Sequence, residues 1–244
     1  MCRQIGSAAT LLGIPCFAVA LTLVAQPVAA IDVVAWGVGI GVDTGSHGSD
    51  ARAFSTVQNP FVNQHSVTLP ADPNTTVAAQ YDFAWGEQFG QFLISSQEQA
   101  HGLATDTVHT EASGGFRMGV AEPLPMHIEA AFSYSLPADY MVANLLVTVF
   151  DAQNHVTIFG QEEEAQTLPG EPASGVLIIS SDVLLPPGPI WTLRYSTRLD
   201  TYPGTAGFSA VGSGSVLFSI PEPSSLCLAL LPGLMQMIRR SRRR

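Results

Sequence analysis

Any chemistry in this chain would have to come from scattered groups. The histidines, His47, His65, His101, His109, His127 and His155, form no H-E-x-x-H and no i,i+4 pair, so no two imidazoles share a helical face for zinc. His109 and His127 alternate with apolar neighbours and are expected to face solvent from strands. There is no G-x-S-x-G motif, and Cys2, Cys16 and Cys227 all lie in the terminal segments, so acyl transfer has no visible nucleophile and no catalytic residue is assigned. A glycosidase needs only two carboxylates brought together from distant strands, yet no spacing here singles out a pair. Glu162-Glu163-Glu164 could hold a cation; three adjacent carboxylates after a strand also read as a solvated turn.

Two other groups could bind rather than react. The stretch Asp43-Thr44-Gly45-Ser46-His47-Gly48-Ser49-Asp50 offers Asp43 and Asp50, hydroxyls and flexible carbonyls of the hard-oxygen kind calcium prefers. It lacks the ordered spacing of a calcium loop, and an ordinary turn is the competing reading. No cofactor is assigned beyond this candidate structural calcium. Among the aromatics Trp36, Trp85, Trp191, Tyr140 and Tyr202, exposed rings would stack on sugars. Trp191 shares a strand face with Leu193 and reads as core, whereas Trp85 beside Gly86 and Tyr202 before Pro203-Gly204 are the stacking candidates.

Strands must position these groups. Met126, Ile128, Ala130, Phe132, Tyr134 and Leu136 alternate with His127, Glu129, Ala131, Ser133 and Ser135, a sustained period of two. Val77, Ala79, Tyr81 and Phe83 alternate in the same way, as do Trp191, Leu193, Tyr195 and Thr197. Further strands are expected over 31–42, 103–109, 116–120, 145–150, 156–159, 176–179, 208–211 and 216–220, about ten short strands in all. Ser113-Gly114-Gly115, Asp151-Ala152-Gln153-Asn154, Leu168-Pro169-Gly170 and Pro186-Pro187-Gly188-Pro189 carry turn chemistry, and 43–74, rich in Gly, Ser, Asn and Asp, reads as one long loop region with room for a short strand inside. No segment shows a 3.6-residue apolar stripe. The expected fold is an all-β single sandwich of jelly-roll type.

The termini read as addresses. Met1-Cys2-Arg3-Gln4 is a short positive region, 5–24 is mostly apolar, and Val28-Ala29-Ala30 supplies small residues for cleavage after Ala30. A lipoprotein signal at Cys16 is disfavoured because Pro15 immediately precedes the cysteine. At the other end, Pro221-Glu222-Pro223-Ser224-Ser225 is followed by an apolar run over 226–238 and then by Arg239, Arg240, Arg242, Arg243 and Arg244. As helix at ~1.5 Å per residue, that run reaches only about 20 Å against a hydrocarbon core of ~30 Å, while the arginines resist translocation. Motif, apolar run and arginine cluster in this order resemble the PEP-CTERM sorting signal of Gram-negative bacteria. The resemblance implies recognition by exosortase, a membrane-embedded cysteine protease, transient contact of the C-terminal helix with the inner membrane, and delivery to the cell surface or exopolysaccharide matrix. It covers only 221–244, and an uncut C-terminal tail anchor stays open.

Processing at both ends would leave a domain over 31–220. It has no cysteine, hence no disulfide, and at roughly 190 residues it is large enough to rest on a conventional core. Its basic side chains are Arg52, Arg117, Arg194 and Arg198, set against nineteen acidic residues, a balance of −15 with histidines neutral. Such a surface disfavours nucleic acid and anionic lipid, because phosphate binding needs clustered Lys and Arg. The sequence thus points to an exported, non-enzymatic surface or matrix protein. The alternatives are a carbohydrate-binding module acting in exopolysaccharide and, behind it, a polysaccharide hydrolase.

Overall fold

The computed structural model describes residues 31–44, 48–56, 61–85, 90–151 and 153–220. The signal segment with Ala30, and the tail with Pro221, Glu222, Pro223, Ser224 and the terminal arginines, lie outside the described residues.

Apolar residues recurring every second position form strands that each bury one face. The described strands are β1 (Ile31–Thr44), β2 (Gly48–Thr56), β3 (Phe61–Leu69), β4 (Asp72–Trp85), β5 (Gly90–His101), β6 (Val108–Val120), β7 (Leu124–Leu136), β8 (Met141–Asp151), β9 (Val156–Gln166), β10 (Ala173–Leu185), β11 (Gly188–Thr201) and β12 (Ser209–Ser219). They make two six-stranded antiparallel sheets, ordered β2-β1-β6-β11-β8-β9 and β10-β7-β12-β5-β4-β3. β5 pairs with β12, β6 with β11, β7 with β10 and β8 with β9. Those nested pairs are a hairpin of paired strands rolled over two sheets, the jelly roll the sequence suggests. The strands β1 to β4 widen each sheet on the side of β5 and β6.

Side chains from both inner faces interdigitate. Phe92 of β5 and Phe218 of β12 stack at 6.3 Å in one sheet, and Phe116 of β6 meets both edge-on from the other, at 5.2 and 5.7 Å. Each such fully buried ring contributes roughly 1.5–3 kcal/mol over an exposed one. Trp191 is core, as its alternation with Leu193 implies, and its indole N–H donates to the Pro186 carbonyl at 2.9 Å.

Several expectations need correction. The region 43–74 is not one loop: it holds β2 and β3, strands whose alternation is diluted by polar residues such as Asn63 and His65. β5 escapes sequence reading because its inward row runs Phe92, Ile94, Ser96, Glu98, so the apolar signal fades halfway. The strand expected over 103–109 begins only at Val108. Ser113-Gly114-Gly115 does not turn; it lies within β6, where a Cβ on Gly115 would sit 2.2 Å from the Leu193 carbonyl oxygen, so glycine serves close strand approach. The Asp151 and Leu168 turns form as expected, the second with Gly170 at φ 84°.

Candidate functional site: a groove on the outer face of one sheet

Residues alternating with the core row of the first sheet point away from the sandwich. Cross-strand register sets them in rows over β6, β11, β8 and β9: His109, Asp200, Val142 and Gln166; Glu111, Arg198, Asn144 and Glu164; Ser113, Ser196, Leu146 and Glu162. Members of these rows, with Tyr202 just past the end of β11, line a groove of about 430 Å³.

The polar groups in it are tied together. Arg198 Nε donates to Asp200 Oδ1 at 2.7 Å, and this bond holds the guanidinium above its ordinary range. His109 Nδ1 lies 2.5 Å from the same oxygen and 3.1 Å from an Arg198 nitrogen. A carboxylate only accepts, so the contact with Asp200 places a ring hydrogen on Nδ1, and the Arg198 nitrogen, itself only a donor, is then a neighbour of Nδ1 and not its hydrogen-bond partner. Ser196 donates to Glu111 at 3.2 Å, and the Asn144 amide donates to Glu162 Oε1 at 2.5 Å. With Arg198 committed to Asp200, the carboxylates of Glu111, Glu162 and Glu164 leave the groove negative.

Glu162-Glu163-Glu164 is therefore no turn: it sits inside β9, where alternation sends Glu162 and Glu164 to the groove and Glu163 to the opposite face beside Gln161. The candidate calcium residues are separated. Asp43 pairs with Ser49 and Asp50 with Val42 across β1 and β2, so adjacent register steps put the two carboxylates on opposite faces. Among the described residues no three His, Asp or Glu side chains form a metal-binding group. His109 and His127 are about one-third exposed, and each meets an aspartate, Asp200 and Asp182 respectively. Tyr202 is exposed and belongs to the groove; Trp85 ends β4, and its side chain lies outside the described set. Sequence reasoning missed Asn144, Arg198, Asp200 and Gln166, because nothing local shows that β9 lies two strands from β11.

No protein-family model matches the chain, and a search of curated proteins found no match. Among solved structures the chain is similar to the VP2 subviral particle of infectious bursal disease virus, at 10% identity and TM-score 0.31, covering 80% of this chain and 59% of that one. The chain thus spans less than two thirds of that protein's length. It is also similar to Eiger TNF from S. frugiperda (9% identity, TM-score 0.26, 52% of this chain and 92% of that). A third similarity is to a structure titled for the promiscuous specificity of carbohydrate-binding modules of the β-sandwich superfamily (10% identity, TM-score 0.23, 75% and 84%). At these scores the jelly-roll assignment rests on strand order alone.

Proposed function

We propose that the protein is an exported, non-enzymatic surface or matrix component, sorted by its PEP-CTERM-like tail through an exosortase-type protease. In this reading the jelly roll holds a neutral polysaccharide in the groove over β6, β11, β8 and β9. The observation that carries the binding part is the lining itself. Sugar hydroxyls both donate and accept, and here carboxylates accept while the Asn144 and Gln166 amides can do either. Tyr202 at the groove's edge adds an aromatic face for the apolar side of a pyranose. The unbalanced charge of Glu111, Glu162 and Glu164 works against uronate-rich chains by like-charge repulsion.

The test is binding of the protein to neutral and to uronate-bearing polysaccharides at low and moderate salt. Retention by a neutral polymer, with acidic polymers excluded at low salt, is expected. Retention only by acidic polymers, or hydrolysis of any polymer, would overturn this reading.

A further inference from the structure

Glu98 of β5 lies between the sheets at 2% exposure, and the groups that meet it are hydroxyls. Thr197 Oγ1 from β11 stands 2.5 Å from Oε1, and Thr110 Oγ1 from β6 stands 3.1 Å from Oε2. Thr197 Oγ1 also lies 3.1 Å from Ser96 Oγ and 3.3 Å from the Ala112 carbonyl. β12 contributes Gly214, where a Cβ would come within 2.7 Å of Ser96 Oγ. The titratable groups facing the carboxyl are the phenols of Tyr81 from β4 and Tyr195 from β11, both buried, the second set among the same Thr197 and Ser96 hydroxyls. Burial, and after it the nearby Glu98, pushes both phenols above the usual tyrosine range, so they stay neutral. Glu111, on the opposite face of β6, adds charge of the same sign as an ionised Glu98.

A carboxylate here would be a buried charge without a counter-ion, which is costly. A neutral carboxyl fits. Its O–H can donate to Thr197 Oγ1, the Thr197 hydrogen then passes to Ser96 or the Ala112 carbonyl, and Thr110 donates to the other carboxyl oxygen. We propose that Glu98 is a buried proton-binding site: its neutral carboxyl ties β5 to β6 and β11 across the two sheets, and its ionisation loosens the sandwich as the medium turns alkaline.

The electrostatics agree with the geometry. Burial pushes the Glu98 carboxyl up to about 8 from an ordinary 4.5, while the Thr197, Thr110 and Ser96 hydroxyls pull it only partly back. The folded state therefore binds this proton more tightly than the unfolded chain. The stabilisation is complete below about 4.5 and is lost as pH rises to and through about 8. The latch also stands behind the groove: Thr110 precedes Glu111, and Thr197 lies between Ser196 and Arg198.

The experiment is denaturant unfolding of the protein and of Glu98→Gln from about pH 5 to pH 9. It involves no glycan, so its outcome is independent of the groove reading. Glutamine copies the neutral carboxyl, its amide nitrogen donating to Thr197 and its oxygen accepting from Thr110. The unfolding constant of the wild type, relative to the variant, is expected to rise by up to about tenfold per pH unit, one proton's worth, and to level off above about pH 8. The histidine contributions cancel in the comparison. Parallel profiles for the two proteins would overturn the proposal. Should the variant fail to fold, carboxyl carbon NMR of glutamate-labelled wild type decides. One resonance titrating in the alkaline range supports the site, and all of them titrating near the ordinary value removes it.

Discussion

The backbone N–H of Tyr202 donates to the carbonyl of Tyr140 at 3.0 Å, which sets two exposed tyrosines on neighbouring strand ends beside the groove. Tyr140 holds a left-handed backbone, φ 57°, where a tyrosine costs about 1–2 kcal/mol. Tyr202 carries no such cost.

The two can therefore be separated by mutation. Tyr202→Ala should weaken neutral-glycan binding about tenfold, close to 1.4 kcal/mol, while changing stability by no more than about 0.5 kcal/mol. Tyr140→Gly should leave stability unchanged or raise it by up to about 1 kcal/mol, because relief of the left-handed strain offsets glycine's extra chain entropy. Titration calorimetry and chemical denaturation check both, and equal affinities for Tyr202→Ala and wild type would remove Tyr202 from the site.

Acid should weaken the fold through the β8–β9 turn. The Asn154 side chain donates to Asp151 Oδ2 at 2.6 Å, and the Gln153 and Asn154 backbone N–H groups donate to Oδ1 at 2.8 and 3.0 Å. These bonds, the Asn154 side chain foremost, hold the carboxyl below its ordinary value. A depressed carboxyl contributes stability that is present above about pH 4 and lost as pH falls through the folded value. Asp151→Asn should lower the melting temperature at neutral pH and flatten the acid side of the profile. Unchanged melting at both pH values would count against this role.

The three-ring contact between the sheets should dominate the core. Phe116→Ala is expected to cost about 3–5 kcal/mol, since its ring touches both Phe92 and Phe218 and the opposing sheets cannot collapse onto the gap. Gly115→Ala beside it should also destabilise, because backbone and not a pliant side chain would have to move. Denaturation midpoints measure both.

Sorting makes a separate prediction. Glu222→Ala should leave an uncut, membrane-associated chain, whereas deletion of 239–244 should let the short apolar run slip through to the periplasm. Fractionation with intact-mass analysis reads the difference. Equal surface amounts and equal mass for wild type and Glu222→Ala would make 221–225 a plain linker before a tail anchor.

The jelly roll was legible wherever the inward row stayed apolar, as in β7 and in β11 from Trp191 to Tyr195. It was hidden in β5, where Ser96 and Glu98 take inward positions, and the residue that broke the pattern is the one given a proton-binding role. A local rule is often broken where a structure holds something other than packing. The groove was half legible. Tyr202 and the run Glu162 to Glu164 could be picked out by type. Only the pairing of β9 with β8, and of β8 with β11, shows that Glu162 and Glu164, but not Glu163, share a face with Arg198 and Asp200. Strand order across a rolled sheet is a long-range property, and a single sequence does not display it.

The most direct measurement is an NMR titration of the isotope-labelled protein with a neutral oligosaccharide. Saturable shifts confined to Asn144, Gln166, Ser196, Arg198 and Tyr202 on the outer face of the first sheet are expected. Shifts on the outer face of the β10-β7-β12-β5-β4-β3 sheet, or none at any concentration where a neutral polymer retains the protein, would contradict the groove reading.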